Sequence, residues 1–185
     1  MGRPSISEQR RIEIGRALQV CMVHNGSYES TSVKDIAQQA GLATGLIHHY
    51  FNSKDEILFL IADTALLEIS NQMYELMRIR DREERVEILR ETLLDQDQNK
   101  FIMMLYTLSL SVPEIKEMII KHREEQIEYV EAKLRRNPEF VGDPGERAAE
   151  FVMLFESAIM QSTMAENEAF VPMAIKMLER NFPVN

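Results

Sequence analysis

Apolar residues recur at three- and four-residue spacing along long stretches of the chain, and that periodicity restricts it to an all-α fold. The clearest run extends from Ile57 to Leu76, where the stripe persists for about five turns. Breakers and capping residues divide the pattern into about nine helices. Asn25 and Gly26 end a first helix over 7–24, because Asn-Gly favours the left-handed turn that stops a helix. Ser32, with Asp35 three residues on, starts a second in a capping-box arrangement. Gly41 breaks that helix, and a third covers 44–51. Ser53 is the expected N-cap of the long fourth helix. Further helices are expected at 83–95, 98–111 and 113–136, and Pro113 suits a first turn. Asp143, Pro144 and Glu146 open an eighth helix reaching to about Met164, and a ninth covers 168–181.

With 185 residues, 45% of them hydrophobic and 28% charged, the chain has enough apolar surface to bury a core. Cys21 is the single cysteine, so no internal disulfide can form, and no CxxC pattern offers a metal site. The N-terminus is too polar for a signal peptide, and Ile6 stands where a myristoylation signal needs Ser or Thr. The longest nearly apolar run, 101–112, is too short to span a bilayer. A cytoplasmic protein without membrane attachment is the expectation. The net charge of −9 hides an asymmetry, since residues 1–54 hold six Lys/Arg against four Asp/Glu and the acidic excess lies entirely beyond them. That balance permits nucleic-acid binding at one end without demonstrating it. The charge run at 78–87 reads as a solvated helix face with internal ion pairs.

Two short helices joined at Gly41 and preceded by a longer one make a helix-turn-helix. Ile36, Ala40, Ile47 and Phe51 face inward, which leaves Thr44, Gly45, Leu46, His48 and His49 on the outer side of the third helix. A helix in the major groove presents its N-terminal residues to base edges. Gly45 lets the backbone approach, Leu46 can meet thymine methyls, and the histidines can donate to bases or phosphates. Tyr50 and Lys54 stand where phosphate contacts would fix register. His48 and His49 make a poor metal site, because adjacent helical residues point about 100° apart and no third ligand is near.

Residues 31–58, "TSVKDIAQQAGLATGLIHHYFNSKDEIL", closely resemble the DNA-binding signature of the TetR family of bacterial regulators. The shared features are the Thr-hydroxyl-apolar start, "IA", "AG", a short helix ending in "YF", and "SK" followed by an acid. The resemblance implies a DNA-binding unit over 1–54, with Thr31 and Ser32 added to the residues that meet double-stranded DNA. Ala43 departs from the family's usual capping serine, and Leu46 and His48 replace its common Thr and Tyr. For Arg3 in "GRP" two readings stand: an arm in an A·T-rich minor groove, or disorder without function.

For 55–185 the resemblance implies a bundle that dimerises through the last two helices and holds a small-molecule effector. Met103, Met118 and Met153, with Tyr106, would surround a pocket for largely apolar ligands. Glu156 interrupts an apolar helix and needs a partner: a group across the dimer, a basic residue or a cationic ligand. His122 faces the same choice between core and ligand. The expected protein is a palindrome-binding repressor released by its effector. The alternative is a helix-turn-helix protein whose C-terminal part only oligomerises or binds a protein partner. No nucleophile–base pair, phosphate-cradling glycine loop or metal-ligand spacing points to an enzyme or a cofactor.

Overall fold

The helices begin where side chains can satisfy their first backbone N–H groups, which otherwise have no partner. A computed structural model describes residues 5–164 and 170–182. Among them nine helices follow one another: α1 (Ile6–Asn25), α2 (Val33–Gln39), α3 (Thr44–Tyr50), α4 (Lys54–Leu76), α5 (Arg82–Leu94), α6 (Gln96–Leu108), α7 (Pro113–Arg135), α8 (Pro144–Ser162) and α9 (Phe170–Arg180). Ser5 and Ser32 form complete capping boxes with Glu8 and Asp35. Ser53, Asp81, Asp95 and Asp143 each accept from the N3 backbone of the helix they open. The expected helices agree with these within a few residues. The exception is the first two residues expected of the ninth, Glu168 and Ala169, which lie outside the described residues.

The buried apolar side chains form one continuous cluster from Ile14 on α1 to Leu178 on α9. Helix α4 is its spine: it packs on α1 and on α5, α6 and α7, and buries Ile57, Leu58, Ile61, Ile69, Met73 and Leu76. At the crossing of α1 with α4, Gly15 is buried, and a Cβ there would lie 3.2 Å from Ile61 Cβ. The helices approach closely because that position carries no side chain. Beyond this packing, polar bonds tie α1 to the bundle. Gln19 on α1 donates to Gln98 on α6 at 2.6 Å in a buried contact, and Arg16 pairs with Glu68 on α4.

The charge run at 78–87 is mostly exposed, as expected of a solvated face, and Glu87 pairs along α5 with Arg90 at 3.6 Å. Arg82 pairs with Glu179 on α9 at 2.8 Å, and Asp81 caps α5. No helix among the described residues is long and apolar enough to cross a membrane.

Candidate nucleic-acid interface and a buried polar cluster

Helix α3 can expose only one side, because Ile47 and Phe51 hold the other against the core at 1% and 2% exposure. Gly41 makes the turn before it with φ +67°, a left-handed conformation that side chains resist, and Leu42 N–H closes that turn on Ala37 O at 2.8 Å. Thr44, Gly45, Leu46, His48 and His49 then share the outer surface. Nothing lies within 4 Å of where Gly45 would carry a Cβ, so the backbone is open to close approach. The N-cap position is Ala43, whose backbone is already extended, with no side-chain cap. Tyr50 is half-buried, its ring edge-on to His49 with centroids 5.2 Å apart.

Two cations from outside this surface hold it in place. Arg11 on α1 donates to the Tyr50 carbonyl, pairs with Glu56 at 2.8 Å and lies 4.1 Å from the Phe51 ring centroid. It therefore fastens the end of α3 to the start of α4. The bond to Arg11, reinforced by Asn52 N–H, holds the Glu56 carboxyl below its ordinary range. Arg11 is not distinguishable in the sequence from the other basic residues of α1.

Lys54, expected from the sequence to meet phosphate, is the second clamp. Its Nζ donates to the carbonyls of Tyr28 (2.9 Å) and Thr31 (2.8 Å) and lies 3.8 Å from the Tyr28 ring centroid. Burial, with Asp55 accepting from the hydroxyl, raises the Tyr28 pKa well above its ordinary value. Thr31 is likewise turned inward at 1% exposure, donating to Ser27 O at 3.0 Å. Ser32 is exposed, but its hydroxyl both donates to the Asp35 carboxylate at 2.7 Å and accepts from the Asp35 N–H. Thr31 is thus part of the framework, whereas Lys54 is half-buried and Ser32 is exposed while it caps α2. Arg3 lies outside the described residues.

Inside the bundle, α4, α6, α7 and α8 enclose a polar cluster. Arg123 Nε donates to both Glu156 oxygens at 3.1 and 3.0 Å, and its Nη2 donates to Tyr106 Oη at 3.1 Å. Burial, then the Glu156 charge, pushes the Tyr106 pKa up to about 12. Burial works against the Arg123 charge, but the bond to Glu156, the Glu156 charge and the Tyr106 hydroxyl together outweigh it and the pKa rises. Glu156 thus has a basic partner within its own chain.

One turn away, His122 Nε2 lies 2.9 Å from Asp63 Oδ1, and Gln126 Nε2 donates to Ser70 Oγ at 2.9 Å. Ser70 gives its own proton to Leu66 O, so it can only accept from Gln126. The amide oxygen of Gln126 is thereby turned away, and neither it nor His122 Nδ1 has a partner among the described residues. Both atoms belong to residues lining a cavity of ≈20 Å³, room for about one water, whose remaining walls are mainly isoleucine and leucine. Of the expected ligand residues, Tyr106, His122 and Glu156 line this cavity. Met103 does not, and its sulfur accepts from Thr163 at 3.1 Å. Met118 packs half-buried elsewhere in the core. Met153 is 56% exposed on the outside of α8. Arg123 and Gln126 were not anticipated. A signal existed for Gln126, a polar residue on the buried stripe Ile115, Ile119, His122, Val130; Arg123 sits in a charged run that resembles any solvated face. No group of three or more His, Cys, Asp or Glu among the described residues could hold a metal ion.

Comparison with known proteins agrees with this geometry. Residues 22–61, from the end of α1 into α4, match the model described as bacterial regulatory proteins, tetR family. An HTH-type transcriptional regulator, HbdR of Aromatoleum sp. (strain CIB), is 39% identical over 74 residues; the match spans 38% of this chain and 32% of that relative. Solved structures align over nearly the whole length. A TetR-family transcriptional regulator from Mesorhizobium loti has a TM-score of 0.77 at 14% identity, covering 96% of this chain and 95% of its own. A transcriptional regulator from Saccharomonospora viridis, solved with choline, has a TM-score of 0.74 at 21% identity, covering 94% and 95%. At such identities these structures speak for the fold alone, whereas the sequence likeness is concentrated in the helix-turn-helix. Residues 22–61 thus resemble the DNA-binding unit of the TetR family, and the chain as a whole shares the all-α fold of the solved regulators.

Proposed function

We propose that residues 1–54 bind a palindromic DNA operator, and that residues 55–185 dimerise the protein and receive a small effector that releases it, making the protein a repressor. The observation that carries the DNA-binding reading is the outer face of α3. Five adjoining residues (Thr44, Gly45, Leu46, His48 and His49) are exposed on a helix whose opposite side is anchored in the core. Leu46, 39% exposed, is an apolar group suited to thymine methyls, and the histidines are donors beside it. Tyr50 flanks them.

Dimerisation is supported by methionines left on the surface of α8 and α9. Met153 on α8 is 56% exposed, Met164 just past the end of that helix is 61% exposed, and Met173 and Met177 occupy successive turns of one exposed side of α9. Two copies joined there would present two α3 helices to half-sites about one turn of DNA apart.

The effector reading rests on two polar atoms without a partner among the described residues, His122 Nδ1 and Gln126 Oε1, whose residues are each oriented by an outer partner and line the same small cavity. A ligand entering there would have to open the space between α4, α6, α7 and α8. Helix α4 continues into the DNA-binding unit, and the buried Gln19–Gln98 bond joins α1 to α6, so such opening would bias the placement of α3. A coupling of about 3 kcal/mol would change operator affinity more than a hundredfold. One observation favours the alternative reading of a purely oligomerising C-terminal part, namely that the cavity is closed to ≈20 Å³.

Selection of random duplexes by the purified protein, then titration of wild type and His49→Ala at fixed salt, tests the DNA-binding half. A palindromic consensus weakened by the substitution is expected, and no enrichment from protein refolded free of ligand would refute it. Screening small molecules for release of that consensus then separates the effector reading from the alternative.

A further inference from the structure

The region just beyond the C-terminal end of α4 carries a concentration of positive charge unlike the rest of this acidic protein. Arg78 and Arg80, just after α4, meet Arg85 of α5 and Lys133 and Arg136 at the end of α7 around one open pocket of ≈540 Å³. No Asp or Glu lines it. None of the five cations makes an ion pair among the described residues, although ten other pairs occur there.

Local structure accounts for part of this charge. Helices α4 and α7 both end here, and each C-terminus carries about half a negative charge. Arg85 donates to the carbonyls of Ile79 (3.1 Å) and Arg80 (2.9 Å), and Arg78 Nε donates to the Tyr129 hydroxyl at 3.3 Å. Two half charges do not balance five cations, and Arg80 and Arg136 are exposed with no side-chain partner among the described residues. On a chain of net charge −9, repulsion among neighbouring guanidinium groups would favour dispersing them unless an anion is to be held there. Guanidinium forks match phosphate oxygens in pairs, and the ring of Phe182, 4.8 Å under Arg85, adds an apolar wall.

We infer that this pocket binds a multiply charged small anion of the phosphate class, a site separate from the DNA-facing surface and from the cavity of His122 and Gln126. It does not depend on the function proposed above. The two bound partners could coexist, because α4, roughly 34 Å long at 1.5 Å per residue, separates the pocket from the recognition surface.

Calorimetric titration of the full chain with inorganic pyrophosphate at low ionic strength tests the inference. Saturable binding is expected, weakened at least about tenfold by the double variant Arg80→Gln, Arg136→Gln and by added salt, with a control variant Lys121→Gln unchanged. Both replaced arginines are exposed, so an unaltered thermal midpoint should show that the double variant folds. Several outcomes would overturn the inference: no pyrophosphate binding by the wild type, binding unaffected by the double variant, or equal loss in the control. Binding of phosphatidylglycerol vesicles without binding of pyrophosphate would also overturn it, replacing a small anion with a membrane surface.

Discussion

Replacing Gln126 with methionine should make the protein more stable while abolishing its response to an effector. In the wild type, Gln126 is 4% exposed and makes one bond, to Ser70, while its amide oxygen has none. Losing a neutral buried hydrogen bond costs about 1 kcal/mol. Ser70 retains its bond to Leu66 O, so no new unpartnered donor is created. Removing the stranded oxygen recovers about 1–3 kcal/mol, and methionine has nearly the volume of glutamine. The balance is a gain of about 1 kcal/mol, or roughly 2–4 °C in Tm for a chain of this size. Urea unfolding at a fixed protein concentration, followed by circular dichroism, reads it directly; the concentration must be held because the proposed dimerisation would add to apparent stability. Operator affinity of the ligand-free protein should stay unchanged. A loss of more than about 1 kcal/mol would refute the reasoning, because it would mean that the oxygen is already satisfied, most simply by one water in the ≈20 Å³ cavity.

Lys54→Met should lower stability by about 1–3 kcal/mol in the absence of DNA, since two carbonyls and the Tyr28 ring lose their cation; a variant as stable as wild type, measured by thermal unfolding, would return Lys54 to the phosphate-contacting role. Ala43→Ser should stabilise α3 by about 1 kcal/mol, as its N-cap backbone is already extended and lacks a side-chain acceptor; an unchanged urea midpoint would show that the hydroxyl cannot reach the N3 N–H. Glu56 and Asp35 are both held below their ordinary carboxyl values, by Arg11 and by Ser32 respectively. Folded-state values below the unfolded ones contribute stability above about pH 4.5 that is lost as pH falls through the lowered values. Unfolding measured from pH 7 to pH 3 should therefore show a decline below about pH 5 that Glu56→Gln makes shallower.

The sequence by itself determined the all-α class, the helix boundaries and the inward side of α3. The physical reason is that these depend on local chemistry: capping side chains within three residues, Gly at the left-handed turns of 26 and 41, and apolar spacing along one helix. The same locality explains why Thr44, Gly45, Leu46, His48 and His49 could be placed on one surface from spacing alone. Tertiary structure decided which polar side chains are spent on holding the framework. Lys54 and Thr31 looked available because their partners, the backbone of residues 27–31 and the Tyr28 ring, are brought to them by the loop between α1 and α2. Arg11 reaches Tyr50 and Glu56 across 39 and 45 residues of chain, a contact no local pattern contains. In the bundle, a methionine at helical spacing can face inward or outward, and only the crossing of α8 with α7 turned Met153 to the surface and Glu156 toward Arg123. The basic pocket likewise required the ends of α4 and α7 to meet, which joins charges more than fifty residues apart in sequence. Repulsion between them is a property of the folded chain alone.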